Sequence, residues 1–129
     1  LVEVKNPLDM NPAATDALFG EVVEALAEDP GVDMAVIGLI PLTPSMSSLA
    51  MDAGQNIAER VSAIARQSPK PILAVVDGGE MYNHFAAMLR EKGMVVFRDA
   101  DRAVRALGLY VQARLNADNL RRRLGAAIP

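Results

Sequence analysis

Few residues in this chain could do chemistry, and those that could lie in short polar turns. The first turn reads Asn6-Pro7-Leu8-Asp9-Met10-Asn11-Pro12-Ala13-Ala14-Thr15. Asn is a good helix N-cap and Pro is favoured at the first helical position, so a helix is expected to open at Asn11-Pro12. The free N–H groups and dipole of such a helix end favour an anion, which makes Asn11, Ala13, Ala14 and Thr15 candidate phosphate-binding positions. Asn6 and Asp9 belong to the same turn. A second polar turn holds Thr43, Ser45 and Ser47, and a third reads Asp77-Gly78-Gly79, where the missing side chains permit close backbone approach. The same features also serve as ordinary caps and turns. His84 is the one histidine. It is a candidate base or phosphoryl acceptor, but no partner residue is identifiable from the sequence.

Several chemistries are excluded or unsupported. The chain has no cysteine, so it has no disulfide, thiolate nucleophile or Cys-based zinc site. One histidine and scattered carboxylates give no metal-ligand spacing. No G-x-G-x-x-G, G-x-x-x-x-G-K-[ST] or G-x-S-x-G string appears. A formal net charge of -3 and an aromatic content of 4% weigh against a nucleic-acid partner. No apolar run is long enough for a membrane span, and no secretory leader is visible. Cysteine absence suits a cytoplasmic location.

The elements that must position these turns alternate. Strand signals at Leu1-Val4, Met34-Ile40, Ile72-Val76 and Met94-Phe97 are separated by helix signals. The continuous apolar character of the second and third is expected of strands buried on both faces. Val4, Val36, Ile37, Leu73 and Val75 are the expected core of the sheet. Helical spacing joins Leu18, Val22 and Leu26, then Ile57, Val61 and Ile64, then Met81, Phe85, Met88 and Leu89. Gly93 stands where a helix C′ residue belongs. A fourth helix carries Val104, Leu107, Val111 and Leu115. Repeated βα units predict an α/β, flavodoxin-like three-layer sandwich with a parallel sheet of about four strands, helices on both faces and strand order 2-1-3-4. In such sheets ligands gather beyond the carboxyl ends of the strands, where all three polar turns fall. A start without Met, almost at once in a strand, suggests a domain of a longer polypeptide. Residues 1–115 are expected to form the domain, and 116–129, with Arg121-Arg122-Arg123, a helical extension or linker.

The strings themselves carry a resemblance. Asn6-Pro7-Leu8-Asp9, Val36-Ile37-Gly38-Leu39-Ile40-Pro41-Leu42-Thr43-Pro44 and Lys70-Pro71-Ile72-Leu73-Ala74-Val75-Val76-Asp77 are followed by Gly93-Met94-Val95-Val96-Phe97-Arg98-Asp99-Ala100-Asp101-Arg102-Ala103-Val104-Arg105-Ala106-Leu107-Gly108. Together they resemble the succinyl-CoA-synthetase-like flavodoxin domain of nucleoside-diphosphate-forming acyl-CoA synthetases, the ADP-forming acetate–CoA ligase group. The likeness implies a multidomain ligase that interconverts acyl-CoA, ADP and phosphate with carboxylate, CoA and ATP. The parent would use ATP or ADP, Mg2+ and CoA, none of them bound by this domain. Its partners would be companion CoA-binding, phosphohistidine and ATP-grasp domains, with no nucleic acid and no membrane. This chain looks like the second flavodoxin-like domain, and it carries no catalytic residue. Its implied part is to lend the helix end at Asn11, Ala13, Ala14 and Thr15 to the phosphohistidine site, with Asn6, Asp9, Thr43, Ser45, Asp77, Gly78 and Gly79 at inter-domain loops. Alone it is expected to be inactive. The alternative is a ligand-sensing or structural module of a protein acetyltransferase fusion, a setting in which relatives of these domains occur.

Overall fold

The computed structural model describes residues 5–40 and 56–126. The first strand signal, Leu1-Val4, and the loop with Thr43, Ser45 and Ser47 lie outside the described residues. Within them, α1 (Asp16–Glu28), β1 (Ala35–Gly38), α2 (Ile57–Gln67), β2 (Ile72–Val75), a 3-10 turn (Glu80–Tyr82), α3 (Asn83–Glu91), β3 (Val95–Phe97) and α4 (Ala100–Ala126) follow in chain order.

The fold is α/β, and among the described residues the sheet is parallel and three-stranded, in the order β1-β2-β3. Ala35 lies opposite Ile72 and Gly38 opposite Val75, while Leu73 lies opposite Val95 and Val75 opposite Phe97. This corrects the expected order 2-1-3-4. That order separates the 34–40 and 72–76 strands by another strand, yet they hydrogen-bond each other directly. Both β1-α2-β2 and β2-α3-β3 advance in the same direction across the sheet. Right-handed crossovers therefore place α2 and α3 on one face. α1 packs beside α2. The core fills the space between this helix layer and the sheet, with Val23, Ile57, Val61, Phe85 and Leu89 against Ile37, Leu39, Ala74 and Val76.

The opposite face is covered less. α4 crosses β2 and β3, where Ala103 and Leu107 are buried with Leu73 and Val75. It does not shield β1 fully: Val36 is 39% exposed. The expectation that Val36 is buried is thus corrected, while Ile37, Leu73 and Val75 are buried as expected. The physical reason is that, among the described residues, α4 alone packs on this face and it contacts β2 and β3, leaving Val36 on β1 beyond its reach.

The ends of the sheet follow from the contacts of its flanking segments. Lys70, just before β2, donates from Nζ to the carbonyls of Leu26 and Asp29 at the end of α1. The C-terminus of α1 thus sits at the amino edge of the sheet, and its start sits at the carboxyl edge. α3 closes in a Schellman arrangement: Met94 N–H donates to Leu89 O at 3.0 Å, and Gly93 N–H to Arg90 O at 2.9 Å. Gly93 adopts φ 91, the left-handed conformation that glycine tolerates without a steric penalty.

Candidate functional site

At the carboxyl edge, the 6–15 segment is held by its own side chains. Asp9 Oδ1 accepts from Asn11 N–H at 2.9 Å, and Asn11 Oδ1 accepts from Ala13 N–H at 2.7 Å. Asn11 O accepts from Ala14 N–H at 3.3 Å. Asn11 has φ 55, a left-handed conformation that Asn tolerates because its short side chain bonds locally. The peptide bond Asn6-Pro7 is cis. The expected helix start is corrected by this geometry. α1 begins at Asp16, and its N-cap is Thr15, whose Oγ1 accepts from Leu18 N–H at 3.2 Å. Asn11 forms a separate turn before it because its side-chain oxygen closes onto Ala13 instead of a helical turn.

The electrostatics of this turn cut both ways. The helix dipole points its positive end at the segment. Asp16 in the first turn and the carboxylate of Asp9 are already there to answer it. The N–H groups of Ala13 and Ala14, nominated as anion donors, each have a partner inside the turn. Ala14 is also buried, whereas Asn11 and Ala13 are exposed.

The third turn has a different construction. Asp77 is exposed and follows the last strand residues of β2. A side chain on Gly78 would collide with the ring of Tyr82, which is buried at 1% exposure. Gly79 adopts φ 75 and ψ −167, a region essentially confined to glycine. The two glycines are therefore required for different reasons, one by packing and one by backbone conformation. Gly79 O accepts from Tyr82 N–H at 3.3 Å and from the Arg98 guanidinium. Arg98 leaves β3 at the same edge, and its Nη1 is buried without a hydrogen-bond partner. Sequence reasoning did not single out Arg98 as a site residue. Its position immediately after a strand end was the available signal.

The structure brings Asp77, Gly78 and Gly79 together with Arg98, and it brings Asp9, Asn11, Ala13, Ala14 and Thr15 together in a second cluster. Thr43 and Ser45 lie outside the described residues. His84 sits at the start of α3 and is exposed. Among the described residues no group of three or more His, Cys, Asp or Glu could hold a metal ion, and no helix is long and apolar enough to cross a membrane. No family, curated protein or solved structure matches the chain.

Proposed function

We propose that this chain is a flavodoxin-like domain of a nucleoside-diphosphate-forming acyl-CoA synthetase, and that it presents the head of α1 to a phosphorylated histidine of a companion domain. The strings quoted above support the reading, and one structural observation carries it furthest. The Asp9-Asn11-Thr15 turn is fixed by three side-chain-to-backbone hydrogen bonds at the positive end of a 13-residue helix, on the edge of the sheet where ligands bind. Such a turn holds the head of the helix in place, and a travelling phosphoryl group would displace the partners of the Ala13 and Ala14 N–H groups to reach them. ATP, ADP, Mg2+ and CoA would be held by companion domains, and residues 116–129 would lead toward one of them.

The isolated chain is then expected to make no acetyl-CoA from acetate, ATP and CoA; turnover above background would overturn the assignment of the missing sites to other domains. In the parent enzyme, Thr15→Ala should slow phosphoryl transfer more than it weakens CoA binding. Equal loss of both, or of neither, would remove the role given to this turn. Phosphate titrated into the isolated chain should move the backbone amide signals of Ala13, Ala14 and Thr15. Movement confined to Arg121, Arg122 and Arg123 would indicate general charge attraction instead.

A second reading is favoured by one observation. Because the Ala13 and Ala14 N–H groups are engaged within the turn, an anion must compete for them. That suits a ligand-sensing or structural module of an acetyltransferase fusion. Under this reading, Thr15→Ala in the parent would leave acyl-CoA turnover unchanged.

A further inference from the structure

We propose that the cavity between α4 and the open face of the sheet binds an amphipathic anion, of which an unbranched aliphatic carboxylate is the simplest form. The cavity has a volume of about 470 Å³, within the range of small-molecule sites. It lies at the amino edge of the sheet, at the opposite end from the Asn11 and Gly78-Gly79 turns, and does not rest on the function proposed for them. Its floor is Leu73, Val95 and Phe97 from the sheet, and its wall is Leu107 and Tyr110 from α4. Val95 is 54% exposed and Tyr110 49% exposed, so apolar surface stands open to water where a chain of methylenes would cover it.

Charge selects the head group. Among the described residues, Arg66 and Lys70 are the charged ones that line the cavity, and no carboxylate lines it. Arg66 donates from Nη1 to Lys92 O. A guanidinium has five N–H donors in a planar fork, so this bond leaves donors for a planar carboxylate. The Lys70 amine is held by the α1 carbonyls and contributes its positive field instead of a direct contact. A small hydrophilic anion would leave the apolar floor uncovered, and an amphipathic cation would meet like charge at the rim. An anion with an aliphatic tail satisfies both parts of the lining.

The test titrates octanoate, decanoate, decanol and decyltrimethylammonium, all below their micelle concentrations, into the 129-residue chain, following heat and backbone amide shifts. Decanoate should bind, with shifts at Gly93, Val95 and Tyr110. Affinity should rise about fourfold per added methylene from octanoate to decanoate. Decanol should bind more weakly, and the ammonium compound most weakly. Arg66→Gln should weaken decanoate about tenfold, the loss of one charged hydrogen-bonding partner, and leave decanol unchanged. Val95→Trp should fill the cavity and abolish binding of both. Decanoate and decyltrimethylammonium binding equally, or indifference to Arg66→Gln, would overturn the proposal. So would shifts located only on the distal half of α4. Two further arms separate the sources. Binding to phosphatidylglycerol vesicles without saturable binding of free decanoate would replace the proposal with a membrane surface. A self-associated chain in sedimentation that decanoate does not dissociate would replace it with a second copy.

Discussion

Gly78 and Gly79 are adjacent and do separate jobs, which a pair of substitutions can divide. Gly79→Ala forces a Cβ into φ 75, ψ −167 with open space around it, so the expected loss is backbone strain of about 1–3 kcal/mol. Gly78→Ala meets the Tyr82 ring and should lower stability by displacing a buried aromatic. Urea unfolding with a second change, Tyr82→Leu, tells them apart: the smaller ring-free side chain should relieve Gly78→Ala and leave the cost of Gly79→Ala unchanged. Thr15→Ala removes one accepting oxygen from Leu18 N–H and should cost about 1 kcal/mol. At this scale the sequence was legible where one residue type answers one conformational need, as at Gly93. It misled at Asn11-Pro12 because Asn can cap a helix or close an Asx turn, and only the surrounding chain decides between them. Arg98 was not legible, because what sets it apart is a buried, unpartnered nitrogen, and burial is a property of the packed edge.

α4 is one helix with two environments. Up to Tyr110 it lies on the sheet, where Ala103 and Leu107 are buried. Beyond that, Leu115, Leu120 and Leu124 are 52%, 59% and 64% exposed, and residues 112–116 are all exposed. The ion pair of Asp118 with Arg121 at 2.8 Å is a surface pair and adds little. Leu107→Ala should therefore destabilise the chain by about 2–5 kcal/mol. A chain ending after Gln112 should melt within about 3 °C of the original, since exposed residues away from the core contribute little. Calorimetry on the two variants checks both; a large loss on truncation would mean that the distal half is anchored. The helix itself was legible from the spacing of Val104, Leu107, Val111 and Leu115. Its continuation to Ala126 as bare helix follows from helix-forming composition, whereas what it packs against depends on where β2 and β3 lie.

At the scale of the molecule, helix and strand signals alternate as the fold requires, but strand order is absent from periodicity. An apolar run states that a strand is buried, not which strand lies beside it. Val75 is 6% exposed on the face that α4 covers, so Val75→Asp should place an uncompensated charge there and cost several kcal/mol; an unchanged melting temperature would show that the face is wetter than its packing indicates. The order β1-β2-β3 has a kinetic meaning. Each strand finds its neighbour in the next strand along the chain, with one helix between them, so few contacts must wait for distant segments to meet. Assembly can proceed from the amino end as synthesis proceeds. α1, α2 and α3 are then in place before α4 emerges, and for that interval Leu73, Val75 and Phe97 form a bare apolar sheet surface. A nascent chain arrested before Ala100 should engage a holdase chaperone through this surface, and one released after Gln112 should not.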